Sequence, residues 1–178
     1  MANWFINTII KMEVKIKKTH PDAVIPYKTH SSDFCYDCVA ISEEEIAPNV
    51  WKYGLGLAFQ VNRSWGKIFS TMFSEKSGLD HWFNFENSSI NISIDARPRS
   101  SVWKTGMVLS NCEGTIDEDF IGEVSAVFYH VMPNMPRYKV GDRVCQIKLG
   151  FTLPMDFYEV NELNATDRGD GSYGSTGK

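Results

Sequence analysis

Long apolar stretches are missing from this sequence, and with them one class of protein. The opening residues, MANWFINTIIKMEVKIKK, hold an apolar run too short and too interrupted for a signal peptide or a membrane span, and nothing later approaches span length. The chain therefore reads as cytoplasmic, with no membrane partner. Cysteine is sparse, four in 178 residues. In that compartment these are expected to be reduced thiols, and an Asn-x-Thr match such as Asn164-Ala165-Thr166 carries no glycan. Positive charge is also short, 18 Lys and Arg against 22 Asp and Glu, for a net charge of −4. Without a basic patch to release counterions, nucleic acid is excluded as a general partner. A small anion is not excluded, because a local arginine pair with a divalent metal can hold a polyphosphate on an acidic protein.

Ligand patterns are equally thin. Cys35 and Cys38 have zinc-ligand spacing, but Cys112 and Cys145 stand alone and supply no second pair, so all four read as ordinary buried or half-buried thiols. The histidines, His20, His30, His81 and His130, form no ligand pattern, and His130 reads as a satisfied core or interface residue in an apolar strand. Trp51 and Trp103 are expected to be packing residues. GSTGK near the end is not a phosphate-binding P-loop: five residues separate Gly171 from Gly177 instead of four, and no helix follows Lys178. No internal repeat is visible.

What is present is a strand-rich globular chain with 43% hydrophobic residues, enough for one domain with a core. Leu55, Leu57, Phe59 and Val61 alternate with smaller or polar residues; so do Ile90, Ile92, Ile94 and Ala96, and Val14 and Ile16. These predict half-buried strands. Glu123 to Met132, EVSAVFYHVM, is apolar on both parities, as expected of a strand covered on both faces inside a barrel or at a subunit contact. Short strands punctuated by Gly, Pro and Asp predict an all-β barrel or sandwich. One segment departs from this: Trp65, Ile68, Phe69, Met72 and Phe73 fall at helical spacing, with Ser64 as N-cap and Gly78 as stop. A short amphipathic helix is predicted there, inside an excursion spanning residues 62–89 that is expected to pack on its own barrel.

The densest polar signal is NCEGTIDEDFIGEV, Asn111 to Val124, in which Gly114 and Gly122 frame a hairpin-like unit carrying Asp117, Glu118, Asp119 and Glu123. Alone, such an acidic run is usually a solvated turn. It is flanked, however, by ARPRSS, whose Arg97, Arg99, Ser100 and Ser101 suit a phosphate, and by GDRVCQ with Gln146. The closing DRGDGSYGSTGK has the composition of a flexible tail, yet Arg168, Tyr173 and Ser175 are a fork-shaped cation, a flat ring and a hydroxyl that could fold over a nucleotide.

In order, SSDFCYD, PRSS, GTIDEDFIGEV, GDRVCQ and RGDGSYGSTG resemble the five motifs of the homotrimeric dUTPase family, the deoxyuridine triphosphate nucleotidohydrolases. The resemblance runs from about Asp33 to the terminus, with residues 62–89 as a non-family insertion. It implies a dUTPase-like β-barrel or jelly roll over residues 1–163 and a C-terminal flap over 164–178. It also implies hydrolysis of dUTP to dUMP and pyrophosphate by a homotrimer with shared active sites. Asp117 would activate the water that attacks the α-phosphorus. Arg99, Ser100 and Ser101 would meet the phosphates with Gln146 beside them, and Asp33 would hold Mg2+ through water. Asn111, with the backbone of Gly114 and Ile116, would read uracil; Phe120, where the family usually has tyrosine, would pack on the deoxyribose. Arg168, Tyr173, Gly174 and Ser175 would close the flap, with Tyr173 in place of a usual phenylalanine and Ser172 of a usual glycine. Two other readings stand beside this one: a dUTP-binding regulatory protein using the 62–89 insertion to contact a partner, and a relative of dCTP deaminase, which shares the barrel.

Overall fold

The computed structural model describes residues 12–61, 91–111 and 113–171. The expected helix between Trp65 and Phe73, the remainder of the 62–89 excursion, Cys112, and Tyr173, Gly174 and Ser175 lie outside the described residues. Among the described residues ten strands form three antiparallel sheets. β1 (Val14–Lys18) pairs with β5 (Leu57–Val61) in a two-stranded ribbon. β2 (Tyr36–Val39), β10 (Arg143–Thr152), β6 (Asn91–Pro98) and β8 (Gly114–Ile116) lie side by side in that order. A second sheet has the order β3 (Ser42–Ala47), β4 (Val50–Gly54), β9 (Ser125–His130) and β7 (Met107–Leu109). Apart from the β3–β4 pair, chain neighbours thus fall in different sheets, the jelly-roll way of burying one face of each. No described helix is long and apolar enough to cross a membrane.

The alternating patterns have the expected cause. Ile92, Ile94 and Ala96 of β6 point inward and join Leu55, Leu57, Phe59, Met107, Leu109, Phe128, Val144 and Ile147 in one core, each large member adding roughly 1.5–3 kcal/mol by leaving water. Val14 and Ile16 pack on its edge. Tyr53, Phe128 and Tyr138 meet edge-to-face at its centre, with centroids 5.4 to 6.1 Å apart, and the Tyr53 hydroxyl donates to the Tyr138 carbonyl at 2.9 Å.

Two expectations need amendment and a third is narrowed. The segment from Gly114 to Gly122 is not a hairpin: β8 pairs with β6 and β9 with β4 and β7, so residues 117–124 form a corner between sheets. Within one chain, strand β9 with its flanking residues buries Val124, Ala126 and Phe128 and leaves Tyr129 and Val131 about half exposed, so of its two expected settings the single-chain barrel interior does not apply and the subunit contact stays open. Trp103 is exposed, whereas Trp51 is half-buried beneath the Arg137 guanidinium, 3.5 Å from its ring centre. The three described cysteines, Cys35, Cys38 and Cys145, and His130 behave as read. Cys38 and Cys145 are buried free thiols facing each other across β2 and β10, and the hydrogen bond between them, with burial, pushes the Cys38 thiol well up. His130 Nε2 meets the Met135 carbonyl oxygen at 3.1 Å.

Candidate active site

The outer face of the β2-β10-β6-β8 sheet carries the polar residues because strand parity sends their neighbours inward. Cys145 and Ile147 are buried, so Gln146 and Lys148 point out; Ala96 is buried, so Asp95 and Arg97 lie on the outer face with them. Register then aligns three strands: Asp37 of β2 stands opposite Gln146 of β10, which stands opposite Arg97 of β6. Gly141 launches β10 from a turn at φ +90°, a conformation glycine accepts freely, and the turn is closed by the Lys139 N–H on Asp142 Oδ2 at 2.7 Å. Pro98 lacks an N–H, and β6 ends there. The chain turns at Arg99 into the 3₁₀ helix Ser100–Lys104.

Arg99 is the best-held side chain of the site. Its Nε donates to Asp37 Oδ1 at 2.7 Å and its Nη2 to Asp37 Oδ2 at 3.2 Å, a fork-to-fork pair, while Nη1 reaches Ser101 Oγ at 3.3 Å. Asp37 also accepts from Arg143 Nη1 at 3.0 Å, and its backbone is bridged in both directions to Tyr27. Gln146 is fixed by its amide donating to the Pro98 carbonyl at 2.9 Å. Two depressions flank this group. One, of about 480 Å³, is lined by Arg97, Pro98, Arg99, Ser100, Glu113 and Gln146. The other, of about 370 Å³, shares Arg99, Ser100 and Gln146 and adds Asp33, Asp37, Lys28 and Phe34.

A line of charges runs from the first depression along the sheet. Arg97 pairs with Glu113, Lys148 Nζ lies 3.7 Å from Glu113 and 2.6 Å from Asp95 Oδ2, and the Ser93 hydroxyl donates to Asp95 Oδ1 at 2.8 Å. Burial alone would raise the Asp95 carboxyl, but the bonds from Lys148 and Ser93 outweigh it and hold it below the usual carboxylate value. Gly150 leaves the room: a Cβ there would come within 2.5 Å of Asp95 Oδ2 and Ser93 Oγ.

The structure sorts the described candidate residues into three groups. Arg99, Ser100, Gln146 and Asp33 share the second depression, with Ser101 held against Arg99. Asn111 precedes β8, Gly114 and Ile116 lie on it, and Asp117 and Phe120 lie on the corner after it; none of the five lines either depression. Gly114 sits under Asn111, whose Nδ2 would be 3.0 Å from a Cβ at that position. The Asp117 carboxylate is exposed and has no partner among the described residues; its carbonyl accepts the Phe120 N–H at 3.1 Å. Arg168 stands apart in an exposed turn, its Nε donating to the Gly171 carbonyl at 2.9 Å. The residue that sequence reasoning missed is Asp37. It lies between Tyr36 and the buried Cys38, and only its register with Gln146 marks it as the partner of Arg99.

An antiparallel jelly roll whose outer sheet face carries a shelf of arginines and lysine paired with carboxylates is the class of protein these observations define. A family model described as dUTPase matches residues 83–177. The deoxyuridine 5'-triphosphate nucleotidohydrolase of Helicobacter pylori (strain P12) is 31% identical over 170 residues, covering 93% of this chain and 97% of that protein. Among solved structures, a Staphylococcus bacteriophage 80alpha dUTPase variant with dUpNHpp superposes with a TM-score of 0.66 at 16% identity, over 93% of this chain and 99% of that one. A phage phi11 dUTPase variant, solved to show coordination of a structural Mg(II) ion, gives 0.58 at 13%, over 86% and 99%. At such identities the structures attest the fold; the sequence matches attest the lineage. This chain belongs to the dUTPase family.

Proposed function

We propose that the protein hydrolyses dUTP to dUMP and pyrophosphate, with water attacking the α-phosphorus in line under the guidance of Asp117. The observation that carries this reading is the grip on Arg99. A guanidinium held by both oxygens of Asp37, beside Ser100 and a pinned Gln146, is a preorganised donor set for phosphate oxygens and needs no rearrangement as charge develops. Asn111, with the backbone at Gly114 and Ile116, reads the uracil edge, and Phe120 packs against the deoxyribose. Residues 1–163 form the folded domain, and 164–178 the flap whose Arg168 meets the γ-phosphate and whose Tyr173 stacks on the base, with Gly174 and Ser175 beside them.

Mg2+ suits the carboxylates present. Asp33 Oδ2 accepts the His30 N–H at 2.8 Å and its other oxygen has no partner among the described residues, whereas both oxygens of Asp37 are committed to arginines. Asp33 would therefore hold the ion through its water shell, as a cation reluctant to dehydrate requires. When bound, the ion neutralises triphosphate oxygens. The decisive assay is pyrophosphate release with Mg2+ from dUTP and dCTP in parallel. Rapid release from dUTP with dCTP untouched is expected; deamination of dCTP, or tight dUTP binding without turnover, would overturn the reading in favour of a deaminase or a sensor.

The separation of Asp117 from the Arg99 shelf in one chain supports a homotrimer in which each site draws on several copies. So does apolar surface left open: Val108 and Tyr129, paired across β7 and β9, are about half exposed, and Phe157 and Leu163 of the extended segment after β10 are 87% and 88% exposed. Light scattering is expected to give three times the chain mass. Phe157→Asp with Leu163→Asp should yield a folded monomer with little activity, and a double variant that stays trimeric and active would count against the shared site.

A further inference from the structure

Phe120 owes its place to what residue 122 lacks. An alanine Cβ at Gly122 would stand 2.7 Å from Phe120 Cζ, 3.0 Å from Cε2 and 3.4 Å from Cε1, well inside the carbon–carbon contact distance of about 3.5–4.0 Å. The three nearest atoms around that position all belong to this one ring. Gly122 does not adopt a left-handed φ, so backbone conformation does not demand glycine there. The tip of the ring instead occupies the space beside Gly122 that a Cβ would take, while the Phe120 backbone N–H is tied to the Asp117 carbonyl at 3.1 Å and the residue remains 46% exposed.

We propose that Gly122 is a positioning residue for sugar selection: by leaving a slot for the Phe120 ring, it sets how closely that ring approaches C2′ of the bound nucleotide, and so excludes a ribose 2′-hydroxyl. This rests on the reading of Phe120 as the deoxyribose platform. A side chain at 122 cannot share the slot, and the ring tip, being the free end of a side chain, swings out rather than forcing the backbone to move. A displaced ring no longer crowds the 2′ position.

The test measures kcat/KM for dUTP and UTP in the full-length enzyme carrying Gly122→Ala, Phe120→Ala or both. Gly122→Ala is expected to lower the dUTP/UTP preference by about tenfold, the scale on which apolar pockets discriminate, chiefly by improving UTP turnover, with an unchanged melting temperature. Phe120→Ala lowers the preference similarly, and the double variant loses no more than Phe120→Ala alone. Wild-type discrimination in Gly122→Ala overturns the inference while leaving dUTP hydrolysis intact. Equal losses that add in the double variant overturn it too, because Gly122 then acts through something other than the ring. Phe120→Ala asks nothing of residue 122, so retained preference there refutes the proposal even should Gly122→Ala fold poorly. A wild-type enzyme indifferent between dUTP and UTP would instead bring down the underlying reading of the site.

Discussion

Asp117→Asn should lower dUTP turnover by at least about 10³-fold, within the range that a positioned general base supplies, and leave the melting temperature where it was. The carboxylate is exposed and has no hydrogen-bond or ion-pair partner among the described residues, so the fold has nothing invested in its charge. Asparagine keeps the shape and the backbone turn to Phe120 but cannot take a proton from water. Substrate binding should survive, since the groups proposed to hold phosphate, Arg99, Ser100 and Gln146, lie elsewhere on the chain. Equilibrium binding of a non-hydrolysable dUTP analogue, measured beside the rate, separates the two effects. Turnover above a tenth of wild type would remove Asp117 from the centre of the mechanism.

Removing residues 168–178 should cost about 10²–10³ in kcat/KM, comparable to deleting one preorganised donor to a developing oxyanion, with the domain still folded. The structural half of that expectation rests on how little its described part, Arg168 to Gly171, touches. Residues 151–170 are exposed throughout, and the hydrogen bonds near Arg168 are local: the Gly169 N–H to the Thr166 carbonyl at 3.0 Å and the Gly171 N–H to the Arg168 carbonyl at 3.1 Å. Among the described residues none of these reaches a strand. Circular dichroism and the melting temperature are thus expected to match the full chain while pyrophosphate release falls. A truncated protein that keeps its rate would dispose of the flap.

Local signals were readable in proportion to how little they depended on distant partners. The alternation at Leu55 to Val61 and at Ile92 to Ala96 announces strands, since the large apolar residues point inward in the period of two, but it does not announce that Ala58 and Asp95 on the other parity are buried as well. The order of strands was not readable, since pairing is decided by residues far apart in the chain: Gly114 to Gly122 looked like a hairpin until β8 and β9 were seen in separate sheets. The same limit governed the site. Motif order identified the shelf of Arg99, Ser100 and Gln146, but the nearby acid was assigned to Asp33 alone. Asp33 does line the shared depression, with its carboxylate turned partly to its own loop; the acid gripping Arg99 is Asp37, four residues on. Trp103 failed for another reason, as composition cannot say which large ring meets solvent.

The alignment of Asp37, Gln146 and Arg97 across β2, β10 and β6 makes the enzyme sensitive to arithmetic. Within β10 the odd positions 145 and 147 feed the interior and the even positions 146 and 148 feed the outer surface. A one-residue shift of register across Cys145 to Lys148 would exchange the two sets, presenting a thiol to the outer surface and an amide to the core. The strand already departs from strict alternation between Arg143 and Cys145, where Val144 and Cys145 are both buried, so a change of length is expected to be absorbed at that irregularity or in the loops and not beyond Cys145.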